Sequence, residues 1–118
     1  MRHQGRAALL HHELARLVAL VVEQLRPERI VVFGSVASGE IHEWSDLDVA
    51  VVMDTQLRPL DRDSLIRDQA KPIVTLDLFV YAPDEWHELT RTRPFIRDEI
   101  AANGRVLYER ERSGIPLG

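Results

Sequence analysis

Between residues 7 and 25 the apolar positions Leu10, Leu14, Leu17, Val18, Val21, Val22 and Leu25 recur at spacings of three and four. That rhythm predicts a helix with one wide apolar face, and Pro27 stops it. The period then shortens. Arg29 to Phe33 (RIVVF) is a β-branched run closed by Gly34 and reads as a strand. Ser35 is placed to cap a short helix over about 36 to 40. Asp48 to Met53 (DVAVVM) predicts a second strand, about 61 to 70 a modest helix closed by Pro72, and Ile73 to Val80 (IVTLDLFV) a third strand. Pro83 fits the first turn of another short helix, through about Thr90. Pro94 to Ala102 reads as a final helix, with Asn103-Gly104 as its left-handed exit. Arg105 to Tyr108 (RVLY) adds a last strand, and 109–118 reads as a frayed tail.

This order is an α/β (α+β) arrangement with short connections: a small mixed sheet of three to four strands flanked by helices. About 14 residues separate Phe33 from Asp48 and must hold a short helix as well. A crossover to a parallel neighbour usually takes more chain and a full helix. The first two strands are therefore expected to run antiparallel, which brings Gly34-Ser35 and the pair Asp46/Asp48 to one end of the sheet.

Side chains alternate along a strand. Leu47, Val49, Val51 and Met53 fall on one face, Asp46 and Asp48 on the other. In the third strand Val74, Leu76, Leu78 and Val80 share a face and Asp77 points the opposite way. If those strands are neighbours, three carboxylates gather in one patch. Two carboxylates about 4 Å apart repel by about 1 kcal/mol in water and roughly 4 at an effective dielectric near 20, so a proton or a cation must relieve them. Mg²⁺ suits hard carboxylate oxygens and keeps positions open for substrate phosphates. Gly34 lets backbone approach a ligand closely, and the start of the next helix offers N–H groups to an anion. Phosphate at one edge and metal at the other make a site for a nucleoside triphosphate. Each part also has a plainer reading: a Gly-Ser turn, a solvated strand start, an edge aspartate paired to an arginine.

Composition narrows the classes. A length of 118 residues suits one domain, 1–118, and 45% hydrophobic content sustains a core. The net charge of −4 argues against a broad nucleic-acid surface, so no direct nucleic-acid partner is expected. The absence of cysteine removes disulfides and thiolate metal sites. Nothing reads as a leader or a membrane span, which predicts a cytoplasmic protein with no membrane partner. His11 and His12 are adjacent rather than at i, i+4, and His42 reads as a solvated loop residue. Trp44 is expected to cover the loop or else to stack a base. Trp86 and Phe95 read as core or partner-contact residues.

The pattern Gly34-Ser35, ten residues, Asp46-Leu47-Asp48 resembles the signature of the nucleotidyltransferase superfamily that includes DNA polymerase β. The order VVFGS…SDLDVAVV…TLDLFV…ANGRVLYER is similar to its minimal nucleotidyltransferase (MNT) branch, over about residues 10 to 110. The resemblance implies that Asp46, Asp48 and Asp77 bind one or two Mg²⁺ ions and form the catalytic set. Asp77 would help deprotonate the attacking hydroxyl, and Gly34 and Ser35 would hold the triphosphate of ATP. It also implies an antitoxin that transfers AMP to a tyrosine of a partner HEPN-domain ribonuclease toxin, acting as a hetero-oligomer or homodimer. Many members read GSRARG; this chain reads GSVASG, with Val36 and Ala37 where an arginine would meet phosphate. Arg62 and Arg67 are the substitutes the sequence offers. Two alternatives stand beside the enzyme: a non-catalytic antitoxin that neutralises its toxin by binding, and a nucleotidyltransferase on a small aminoglycoside-like acceptor.

Overall fold

The structure is a computed structural model that describes residues 2–110, with side chains from Gly5 onward. The expected frayed tail lies outside the described residues from position 111 on. The elements are α1 (Arg2–Leu25), β1 (Arg29–Phe33), α2 (Gly34–Ser38), β2 (Leu47–Val52), α3 (Pro59–Ala70), β3 (Leu76–Tyr81), α4 (Pro83–Thr92), α5 (Phe95–Ala102) and β4 (Arg105–Glu109). α5 is wound as a π-helix and closes with the Asn103 N–H donating to the Asp98 carbonyl at 2.9 Å.

The strands form one mixed sheet in the order β3-β2-β1-β4. β1 runs antiparallel to β2, as the short connection predicts, and also to β4, while β3 joins β2 in parallel with α3 as the crossover. The central strands β1 and β2 are covered on both faces, which is why they read as continuous apolar runs. On one face Ile30, Val32, Leu47, Val49, Val51 and Leu76 pack against Leu10, Leu14, Leu17 and Val21 of α1 and Ile66 and Ala70 of α3. On the other, Val31, Phe33 and Ala50 meet Ile96 and Ile100 of α5, with Phe79, Tyr81, Trp86 and Leu89 at the margin. Burying each such aliphatic side chain contributes about 1.5–3 kcal/mol relative to exposure, more than the helix propensity of any residue in these elements.

Charged side chains inside this framework are paired. Glu13, 3% exposed, accepts from Arg16 Nε at 2.7 Å and from the Ile73 N–H at 3.1 Å, tying α1 to the approach of β3. Its carboxyl is held below the ordinary range by the Arg16 hydrogen bond. Arg62 is also buried; it donates to the Leu57 carbonyl at 2.7 Å and to Glu85 at 2.6 Å, bridging α3 to the start of α4.

Four local expectations are corrected. α1 begins at Arg2 rather than near residue 7. β3 begins at Leu76 rather than Ile73, because Pro72 has no N–H and the Ile73 N–H goes to Glu13, leaving Ile73 71% exposed. Ser35 does not cap α2: it lies inside the helix, and Phe33 occupies the cap position without a side-chain bond. Gly104 is not a left-handed exit, and Asn103 stays right-handed at φ −96°. Gly104 answers a close approach instead: a Cβ there would sit 2.2 Å from the Ile100 carbonyl oxygen and 2.6 Å from Val31 Cγ1.

Candidate active site

Where β1 ends, the chain turns at Gly34 with φ +71°, a backbone conformation that disfavours any Cβ. An added Cβ would also lie 2.2 Å from Asp48 Oδ2. The turn is thus pressed directly against the carboxyl of the second strand. Register explains the meeting. Asp48 is the cross-strand partner of Phe33 in β1 and of Asp77 in β3. In-register partners on neighbouring strands share a face, so Asp48 and Asp77 stand side by side, Asp48 half-buried and Asp77 exposed.

The electrostatics follow from that closeness. Burial pushes the Asp48 carboxyl up to about 6, helped by its hydrogen bond with Asp77 and by the negative charges of Asp77 and Asp46. The crowding of negative charge between the two carboxyls favours whatever relieves it, a proton or a cation.

Asp46 lies just ahead of β2. It is near enough to act on Asp48, but its Oδ1 faces Arg6 Nη2 of α1 at 3.6 Å. Arg6 Nε also donates to the Ser45 carbonyl at 2.9 Å. Ser45 is buried and closes a tight turn, its Oγ accepting from the His42 N–H at 2.8 Å and its N–H donating to the His42 carbonyl at 3.0 Å. His42 Nδ1 accepts from the Trp44 N–H at 3.2 Å. Trp44, 78% exposed, does not cover the loop. Ser35 is half-buried in α2, its carbonyl accepting from Gly39 at 2.9 Å.

The structure therefore brings Gly34, Asp48 and Asp77 into contact, with Asp46 adjacent but turned to an arginine. Among the described residues no three His, Asp or Glu side chains are arranged to hold a metal ion. The donor chemistry of Asp48 and Asp77 nonetheless suits Mg²⁺: two hard oxygen donors, an unrelieved excess of negative charge and an exposed side. Val36 is buried in the first core cluster with Ala37 against it. Neither Arg62 nor Arg67 fills in for an arginine there. Arg62 serves Glu85, and Arg67 serves Asp63 at 2.6 Å and the Leu76 carbonyl at 2.6 Å. Sequence reasoning missed Arg6 and Ser45. Arg6 precedes the apolar rhythm of its helix and lies far along the chain from Asp46, so no local pattern marks it. A cleft of about 900 Å³ sits at the opposite end of the sheet, between Arg29, Val52, Trp86 and Tyr108, away from these carboxyls.

An antiparallel strand pair joined through a glycine turn, carboxylates at the start of the second strand and one more on its parallel neighbour define a nucleotidyltransferase-type fold. Residues 16–113 match the family described as Polymerase beta, nucleotidyltransferase, and the chain belongs to that family. Its fold is similar to the crystal structure of a presumed nucleotidyltransferase from Sulfolobus solfataricus, with a TM-score of 0.68 over 99% of this chain and 96% of that one. At 17% identity this likeness is one of fold. No curated protein matches the chain. Among the described residues, no helix is long and apolar enough to cross a membrane.

Proposed function

We propose that this chain is a metal-dependent nucleotidyltransferase that transfers AMP from ATP to a tyrosine of a partner HEPN-domain ribonuclease toxin, and so acts as an antitoxin of the minimal nucleotidyltransferase type. The observation that carries the catalytic part is the in-register contact of Asp48 with Asp77, with Gly34 closed against Asp48. The protein acceptor and the antitoxin role rest on the resemblance of the Gly34-to-Asp48 signature and the element order to the minimal branch. In this reading residues 1–118 work as one domain, in the cytoplasm.

Asp48, Asp77 and Asp46 would hold one or two Mg²⁺ ions, which when bound would neutralise phosphate charge and polarise the α-phosphate of the transferred adenylyl group, pyrophosphate being the leaving group. The chain's own groups divide the remaining work. Gly34, lacking a side chain, leaves the backbone open to the triphosphate, and the N–H groups of the first turn of α2 have no partner within that helix. Asp48 is fixed by the turn and by Asp77. Asp77, exposed beside it, is positioned to accept the proton of the acceptor hydroxyl.

Intact-mass analysis of a HEPN-domain toxin incubated with this chain, ATP and Mg²⁺ tests the proposal. One or more AMP additions are expected, and their loss in Asp46→Asn and Asp48→Asn. A toxin that stays unmodified would refute the transferase reading.

The binding-only antitoxin is favoured by two observations: Asp46 is held by Arg6, and the positions after Ser35 are aliphatic and packed into the core. A folded variant with Asp46, Asp48 and Asp77 all changed to Asn that still protected cells fully would establish that reading instead.

A further inference from the structure

We infer that Phe95 is the base-stacking surface of the nucleotide site. The inference rests on the nucleotidyltransferase reading and deepens it. Phe33 is the register partner of Asp48, and Phe79 follows Asp77 by two residues on the same strand face. Between them in β2 lies Ala50, fully buried and small, which lets the two rings lean together over it. Their centroids are 5.6 Å apart at an interplanar angle of 70°. Phe95, the first residue of α5, completes the trio at 6.1 Å from Phe33, edge-on at 83°, and 6.2 Å from Phe79. An aromatic wall therefore adjoins the carboxyl pair on the same face of the sheet, about two strand residues or roughly 7 Å along, a separation that a ribose spans.

Phe95 differs from its companions in exposure. Phe33 is buried and Phe79 partly so, while Phe95 is 50% exposed although Ile96 and Ile100 of its own helix are buried. The ring is held from one side and offered to solvent on the other. A purine or pyrimidine face is the chemistry such a half-covered, immobilised ring accepts, with little dependence on base identity. Trp44 is more exposed, but among the described residues no ring contact holds it, so stacking there would cost rotamer freedom that Phe95 has already lost.

Calorimetric titration with Mg²⁺-ATP and, separately, with Mg²⁺-tripolyphosphate separates the base from the phosphates. Phe95→Leu keeps apolar volume and removes the π-face; its thermal melt reports whether the fold is retained. ATP affinity is expected to fall roughly tenfold in Phe95→Leu and Phe95→Ala, with tripolyphosphate affinity unchanged, and to be kept in Phe95→Trp and Trp44→Ala. ATP affinity unaltered in both Phe95 variants, or an equal loss for tripolyphosphate, would overturn the inference. So would a Phe95→Leu protein that binds ATP normally and loses only a protein partner. Failure of the underlying reading looks different: Asp48→Asn would then bind both ligands as the unaltered chain does.

Discussion

Among the individual side chains of this protein, Asp48 is the one whose surroundings resist its charge from three directions: burial, a bond to Asp77, and the nearby Asp46. Its carboxyl, raised from an ordinary 3.8 to about 6, binds more protons folded than unfolded between those two values. Its contribution to stability is therefore present at low pH and is lost as pH rises through about 6. Because the group is partly solvated, the loss is on the order of 1 kcal/mol. Asp48→Asn removes it, so at pH 7 this variant should melt about 4 °C above the unaltered chain in metal-free buffer, and the gap should close near pH 4. Equal melting temperatures at pH 7 would mean the charge is already relieved. The identity of this residue was readable from Asp-x-Asp at a strand start. Its contact with the Gly34 turn was not, since that depends on a left-handed glycine whose space is set by another strand.

At the scale of elements, local pattern predicted what local forces build. β1 matches its predicted span, and the faces of β2 and β3 alternate as read, because period-two burial is written in the chain itself. It failed where a distant group takes over a backbone bond or a core place. Glu13 captures the Ile73 N–H and delays β3. Arg62 occupies a buried position of α3 that an apolar stripe would normally fill, which is why that helix reads as modest. Arg62→Ala would strip Glu85 and two carbonyls of a buried partner, and should cost about 2–4 kcal/mol in a denaturant titration. A loss below about 1 kcal/mol would show that α3 and α4 hold together without the bridge.

For the molecule as a whole, the first helix reaches the site through Arg6, whose charge opposes any cation near Asp46. The Arg6–Asp46 pairing, 3.6 Å apart in a wet setting, is worth about 1 kcal/mol, which a cation taking Asp46 must displace. Arg6→Ala should then bind Mn²⁺, read by paramagnetic resonance, roughly fivefold more tightly. Weaker binding would mean that Arg6 shapes the loop at Ser45 rather than competing for Asp46. The sequence by itself determined the alternation of helices and strands, the antiparallel start of the sheet, and which carboxylates lie on the strand face opposite Leu47, Val49 and Val51. All of these follow from spacing and from the reach of a short connection. Only the tertiary structure decided that Asp48 and Asp77 lie in register, that Asp46 is given to Arg6, that Val36 is packed inside, and that three phenylalanines wall the carboxyl pair. Those outcomes depend on which strand lies beside which and on side chains distant in sequence competing for the same atoms, and no local pattern encodes that competition.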